Sequence, residues 1–375
     1  MVFRKPQYPV THQAVPIFFS LSNNYQEDVM KTINLQINDH ELAVLLGIPV
    51  HRLDYEQTLQ RILEFIESPA DDRCRMVVTL NVDFVVNAHS FMRHRGYPGM
   101  IDILRRAALV TPDGMPLVLL SKMLGTPLPE RVTGVDLVQM IAERAALKGK
   151  SLYFLGGTPQ AAQKTAEIFS SRFPGLRIAG IDTPWVSLDN TAETAALDQR
   201  ICDQINAAKP DILLIGFGNP KQELWLARNV SQLKVPAAIG IGGTFNFISG
   251  EVKRAPILIQ KLCMEWIYRI IQEPSRLWKR YALGLIIFGG LSFIALASSV
   301  IGIILGFAGK RQAECQLDED TQSVVMDCRG ITFCGNYLRI QILEAAHHAE
   351  KNNLKFRIAN VNPILKIQLL AHRVI

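Results

Sequence analysis

Asp113 stands in a Thr-Pro-Asp-Gly turn directly after the apolar pair Leu109-Val110. A carboxylate just past a buried strand can point into a cleft and take a proton from a hydroxyl. The same residue could equally serve as an Asx-type turn former. Two histidines, His89 and His94, are rival bases, but they fall on a helical stretch after Asn81 and read better as helix-surface residues. Arg131, in Pro-Glu-Arg-Val-Thr-Gly, has the chemistry of a diphosphate clamp, because a guanidinium grips phosphate in bidentate fashion. A solvated surface arginine is the alternative.

A third group of residues follows the apolar run Ile212–Ile215: Gly216, Gly218, Asn219, Pro220, Lys221 and Gln222. Glycines after a buried strand let backbone N–H groups approach a phosphate. This is G-x-G-x-x-K, however, neither the dinucleotide G-x-G-x-x-G nor a Walker G-x-x-x-x-G-K-[ST]. Lys221 can add charge toward a phosphate or cap the site from solvent. Gly156-Gly157 and Gly242-Gly243 follow two other apolar runs, and Thr79 and Asn81 bracket the end of a further one. One such turn means little, but five at one edge point to a phosphate-bearing ligand. Phe245, in Gly-Gly-Thr-Phe, fits either the nucleotide or the core.

The elements that must position these groups are legible as alternation. Apolar runs at Met76–Leu80, Leu109–Val110, Leu152–Leu155, Ile212–Ile215 and Ala237–Ile241 alternate with helical patterns at Val135–Leu147, Pro159–Arg172, Ala192–Ala208 and Lys221–Val230. That is the signature of β-α units and a mostly parallel sheet, whose ligands sit beyond the carboxyl ends of the strands. Upstream, Asp54 and Gln57 resemble a capping box, and Leu59, Ile62, Leu63 and Ile66 share one helical face.

Seven stretches in order, "TLNVDFVVNA", "VTPDGMPLV", "PERVTGVDL", "YFLGG", "IGFGNPKQELW", "GIGGTFNFISGEVKRAP" and "EWIYRIIQEP", resemble the WecG/TagA/CpsF glycosyltransferase family over residues 45–281. The resemblance implies a Rossmann-like α/β domain with a C-terminal appendage that meets the membrane. It implies inverting transfer of a sugar, often of the N-acetylmannosamine type, from a UDP-sugar donor to a polyprenyl-pyrophosphate-linked acceptor, with no metal and no cofactor. Asp113 matches the family's proposed base. Thr79 and Asn81 match positions lining the sugar site, and Gln222 one that contacts substrate. The glycines Gly156, Gly157, Gly216, Gly218, Gly242 and Gly243, with Asn219 and Lys221, are expected to cradle the UDP-sugar. A non-catalytic membrane-anchored scaffold that kept the sugar-nucleotide fold is the alternative, disfavoured by Asp113, Arg131 and Gln222 occurring together. A nucleotide-dependent oxidoreductase would want the missing third glycine and a ribose-binding acid.

The chain has 375 residues, 49% hydrophobic and 20% charged, with a net charge of +6. Its six cysteines form no C-x-x-C, so neither a zinc site nor a disulfide framework is legible. No apolar run follows the early Arg4 and Lys5, and no signal peptide is expected. The basic residues are concentrated in 251–281, where seven Lys or Arg are interleaved with aromatics and leucines. Such a stretch suits a membrane interface, and a nucleic-acid partner is set aside because residues 282–308 carry no charge over 27 positions. By resemblance Arg269, Arg276 and Arg280, with Arg254 nearby, face the lipid pyrophosphate. The positive-inside rule puts the catalytic domain on the cytoplasmic side of the membrane. Gly289-Gly290 marks where a re-entrant hairpin could bend, against a single span.

The expected organisation is an irregular N-terminal extension (1–43), a catalytic domain (44–250), the basic appendage (251–281), the apolar membrane segment (282–309) and a small α/β tail (312–375). The tail resembles the later half of a STAS domain, with strands at Val324–Asp327 and Phe356–Ala359 around a helix at Leu338–Asn352. Gly335-Asn336 replaces the expected Asp-Ser pair, and the first strands of that fold are not apparent. Oligomeric state, including a homo-oligomer, is left open.

Overall fold

The computed structural model describes residues 17–20, 30–32, 40–67, 73–89, 97, 99–256, 259, 265–305, 313–331 and 333–375, which fall into two compact units. The first holds residues 53–117 and 129–284.

Its centre is a six-stranded parallel sheet. In chain order the strands are β5 (Arg75–Leu80), β6 (Leu109–Pro112), β7 (Ser151–Gly156), β8 (Arg177–Asp182), β9 (Ile212–Gly216) and β10 (Ala237–Gly240), arranged β6-β5-β10-β9-β7-β8. Every pairing is parallel, as apolar runs separated by helical crossovers require. Five strands fall on the apolar runs of the sequence. The sixth, β8, carries no such run, because it is an edge strand whose residues are exposed or only half-buried, with Gly180 at its centre.

Helices α1 (Tyr55–Glu67), α5 (Gly134–Leu147) and α6 (Pro159–Arg172) share one core with the sheet, built from residues such as Leu59, Ile141, Phe154, Phe169, Leu214 and Phe245. Burying side chains of this size is worth about 1.5–3 kcal/mol each, which is what holds the layers together. The start of α1 is a reciprocal capping box: Gln57 N–H donates to Asp54 Oδ1 at 2.8 Å, and Asp54 N–H donates to Gln57 Oε1 at 3.1 Å. Helix α8 (Lys221–Asn229) is fixed to α7 (Ala192–Ala208) through Asp198, which accepts from Trp225 Nε1 at 2.8 Å and Asn229 Nδ2 at 3.2 Å and pairs with Arg228 at 2.6 Å. Three contacts on one carboxylate aim the first turn of α8 at the carboxyl edge of the sheet.

The second unit holds residues 10–52, 118–128 and 285–375. It contains a five-stranded mixed sheet and a hairpin, β3 (Leu42–Leu45) with β4 (Ile48–His51). The expectation of irregular structure over 1–43 needs correcting in part: β1 (Ile17–Ser20) and β2 (Met30–Thr32) are strands, added to the two sides of a tail sheet made by β11 (Glu314–Asp318), β12 (Ser323–Asp327) and β13 (Lys355–Ala359). The two N-terminal strands are short, and their register is set by the tail strands they join. The tail helix runs Asn336–Lys351, and its Asn336 side chain clasps the hairpin: Val44 N–H donates to Oδ1 at 2.9 Å, and Nδ2 donates to the Leu42 carbonyl at 2.8 Å.

Candidate active site

The carboxyl edge of the six-stranded sheet opens into a cleft of about 460 Å³. Asp113 lines it at the β6 end. Thr79 and Asn81 follow at the end of β5, Gly242 and Gly243 after β10, Gly216, Gly218, Asn219, Lys221 and Gln222 after β9, and Gly156 and Gly157 after β7. Pro184 and Trp185 lie past β8 at the far side. With strands about 4.8 Å apart, six of them spread the two ends roughly 24 Å from each other. The strand order therefore gathers residues that are up to 164 positions apart in the chain, from Thr79 to Gly243, onto one rim.

Asp113 leaves β6 at its carboxyl end. Its N–H donates to the Leu80 carbonyl at 2.7 Å, and its Oδ2 accepts from the Gly134 N–H at 3.3 Å. Burial pushes its carboxyl up to about 7, against the pull of the Gly134 N–H and of the Arg131 and Arg269 cations. A carboxylate that titrates near neutrality and lines a cleft is equipped to accept a proton there.

Gln222 organises the glycine turns. Its Oε1 accepts from the Gly218 N–H at 3.1 Å and from the Gly242 N–H at 3.0 Å, joining the turn after β9 to the turn after β10. Gly240 makes room for it, since a Cβ there would come within 2.5 Å of Gln222 Nε2. Gly218 has φ +79°, a left-handed conformation that favours glycine, with open space where a side chain would stand. Thr79 Oγ1 donates to the Gly240 carbonyl at 3.0 Å, and Asn81 Oδ1 caps the helix α2 (Val82–His89) by accepting from Asp83 N–H at 3.0 Å. Asn219 sits between Asn87, whose Nδ2 donates to its Oδ1 at 2.6 Å, and Glu223, whose Oε2 accepts from its Nδ2 at 3.0 Å. Glu223 is buried, and burial drives its carboxyl up to about 7 despite the hydrogen bonds from Gln222 and Asn219.

The basic appendage places its residues unevenly. Arg269 and Arg280 line the cleft, Arg269 over the Phe247 ring at 4.7 Å and Arg280 paired with Asp83. Arg254 does not line it: its guanidinium grips Asp136 at 2.5 and 2.6 Å. Arg131 is likewise off the lining and pairs with Glu265 at 2.5 Å, with Arg254 3.8 Å from the same carboxylate. Arg276 falls in the helix Pro274–Leu305, and its side chain lies outside the described residues, as does His94. His89 is at the end of α2 and is not among the lining residues. Phe245 is core: it is 1% exposed and packs on Phe154 with ring centroids 4.9 Å apart.

Sequence reasoning missed Trp185, Asp83 and Phe247. Trp185 is 85% exposed, with Lys221 Nζ over its ring at 4.2 Å. It follows the one strand that has no apolar run, so nothing in the local sequence placed it at the cleft. Asp83 carries a signal in hindsight, two residues past Asn81 at a helix start. Among the described residues no group of three or more His, Cys, Asp or Glu could hold a metal ion.

Comparison with known proteins agrees with the geometry. The model of the glycosyl transferase WecG/TagA/CpsF family matches residues 43–299. An N-acetylglucosaminyldiphosphoundecaprenol N-acetyl-beta-D-mannosaminyltransferase from Bacillus spizizenii is 30% identical over 236 residues, covering 62% of this chain and 85% of the relative. Proteins of the same description from Bacillus subtilis and Staphylococcus aureus are 28% and 26% identical, over 62% and 63% of this chain and 85% of each relative.

Proposed function

The chain belongs to the WecG/TagA/CpsF family of glycosyltransferases, and from that premise we propose that it moves an N-acetylmannosamine-type sugar from a UDP-sugar to a polyprenyl-diphosphate-linked sugar. The observation that carries this reading is the arrangement along the cleft: a carboxylate that titrates near 7 at one end, glycine-lined turns in the middle, and an exposed aromatic beside a lysine at the other.

The donor would lie along that edge, its sugar toward Asp113, its diphosphate over the N–H groups of the turns after β9 and β10, and its uracil toward Trp185. The acceptor hydroxyl would attack the anomeric carbon as the bond from that carbon to the diphosphate oxygen breaks. The hydroxyl proton would pass to Asp113, and the electron pair would leave on UDP. Inversion follows from a single displacement. The charge developing on the leaving group would be met by backbone N–H groups and by Arg269 and Arg280. These cationic residues belong to the basic appendage, so a lipid-borne acceptor entering there meets both the cations and the base.

We further propose that the enzyme works at the cytoplasmic face of the membrane, consistent with the lipid-linked acceptor named in its relatives. The tail, residues 312–375, is proposed to be partly STAS-like and to act in docking or regulation.

The test is transfer from a panel of radiolabelled UDP-sugars to a short-chain polyprenyl-diphosphate-N-acetylglucosamine. UDP-N-acetylmannosamine is expected to give a disaccharide-lipid product with inverted configuration. UDP binding without transfer to any acceptor would point to a scaffold and overturn the proposal.

A further inference from the structure

The apolar segment forms one unbroken helix, Pro274–Leu305, and its stretch Leu277–Ile301 is long and apolar enough to cross a bilayer. Gly289 and Gly290 lie inside this helix, so no hairpin bends there. A helix of that kind invites the reading of a single span. The fold of the second unit contradicts it.

Residues on both sides of the helix in sequence are hydrogen-bonded into one structure. From before it, Ile17–Ser20 pairs in parallel with Phe356–Ala359, Met30–Thr32 pairs with Gln316–Asp318, and the Leu42–Leu45 strand is clasped by Asn336. The hairpin ends at His51 and α1 of the catalytic unit begins at Tyr55, with only three residues between them. Among the described residues no other helix is long and apolar enough to cross. A single crossing would put residues 313–375 across about 30 Å of hydrocarbon from their strand partners, and a β ladder cannot be made through that medium.

The burial pattern of the helix says what it does instead. Phe288, Leu291, Ala295 and Ser298 are buried, and beside them Ser299 Oγ meets His372 Nε2 at 3.0 Å. Leu285, Ile286, Phe293, Ile294, Val300 and Ile301 are 50–73% exposed. At about 100° per residue these two sets fall on opposite sides of the helix. A lone spanning helix would offer lipid all of its faces, whereas this one offers half. The exposed half is continuous, uncharged and preceded by Lys279 and Arg280.

We infer that the helix is a monotopic anchor: it lies in the plane of one leaflet with its exposed face in the acyl region, and both of its ends stay on the side of the catalytic unit. The occupant of the exposed face is a lipid surface bearing anionic headgroups. Its apolar residues meet acyl chains, the exposed Lys279 meets headgroup phosphate, and the relatives' acceptor is itself lipid-borne. The inference rests on the membrane reading of the preceding section but not on catalysis.

Two cysteine variants of the full chain test sidedness, Asp320→Cys in the tail unit and Asp189→Cys in the catalytic unit, both at exposed positions. With a membrane-impermeant maleimide, both are expected to label in inside-out vesicles and neither in intact cells. Labelling of Asp320→Cys from outside while Asp189→Cys stays protected means a single span and overturns the inference. If both label from outside, the shared side holds and only the cytoplasmic assignment fails. Flotation with phosphatidylcholine–phosphatidylglycerol vesicles tests the occupant. The double variant Ile286→Lys/Ile294→Lys is expected to float about tenfold less, with unchanged melting temperature, and the milder Phe293→Ala/Ile294→Ala variant to lose less in the same direction. Unchanged flotation together with loss of a dimer would mean that a second copy covers this face, and would overturn the lipid assignment. None of these readouts requires transfer activity, so an inactive enzyme leaves them intact.

Discussion

Arg131 and Glu265 form an ion pair at 2.5 Å across 134 residues of chain, beside the carboxylate that lines the cleft. The pair ties the loop before α5 to the first turn of the appendage helix Glu265–Gln272. Arg131 is therefore held next to Asp113 rather than pointing into the open cleft. If it also grips the donor diphosphate, it must exchange Glu265 for phosphate. The double-mutant cycle separates the two roles. Arg131→Ala and Glu265→Ala should couple by about 0.5–3 kcal/mol in melting experiments, as contacting residues do. In the Glu265→Ala background, Arg131→Ala should still raise the donor KM severalfold. Unchanged donor kinetics in that background would leave Arg131 as a structural latch.

Asp113→Asn should lower kcat by about 10²–10⁴-fold, the usual cost of losing a general base. UDP binding, followed by thermal shift, should stay within a few-fold of wild type, since the amide keeps the shape and the Gly134 contact. A rate within threefold of wild type would remove Asp113 from the role.

The pH profile follows from the same group. Its carboxyl titrates near 7 rather than near 4, so below that pH it carries a proton and cannot accept one. Activity should therefore fall as pH drops through about 7, tenfold per unit on the acid limb. The protonated form is also the one that burial favours, so this group's contribution to stability is present at low pH and declines as pH rises through 7. Melting temperature measured against pH should then move opposite to activity in this window, and Asp113→Asn should flatten both trends.

Gln222→Leu keeps the volume and removes the acceptor shared by Gly218 and Gly242. Two N–H groups lose their partner, at about 1–3 kcal/mol for each one left unsatisfied and buried. The donor KM should rise more than kcat falls, because the turns hold the diphosphate in ground and transition states alike. Gln222→Glu retains an acceptor oxygen and should recover part of the loss. If Gln222→Leu leaves the donor KM unchanged, the two turns do not hold the donor.

Trp185→Ala should weaken UDP binding by about tenfold or more, in the range of 1–3 kcal/mol found for a base stacked on an aromatic ring. Titration of the protein with UDP and with free diphosphate distinguishes the outcomes: the loss should be confined to UDP. Equal loss with both ligands would place the tryptophan against phosphate through Lys221 rather than against a base.

Much of the catalytic unit was determined locally. The capping box at Asp54 and Gln57, the apolar runs of five strands, and the glycines that follow them are properties of neighbouring residues, set by helix-end hydrogen bonding, burial on both sheet faces and backbone freedom. Asp113 was readable for the same reason, as a carboxylate in a turn after a buried strand. Strand order was not local. Only tertiary pairing puts β8 at the edge, and with it Trp185 at the end of the cleft opposite Asp113. Nor was it local that Phe245 fills the core, or that Arg131 and Arg254 are engaged by carboxylates far away in the chain. The apolar stretch 282–308 illustrates the division best. Its composition fixed that it would be uncharged and apolar, but that the helix Pro274–Leu305 runs unbroken through Gly289 and Gly290 was seen only in the fold. The proposal that its two ends share a side rests on strands at residues 17–20 and 30–32 pairing with a sheet some 300 residues away, because a β strand finds its partner through hydrogen bonds made only in the folded chain.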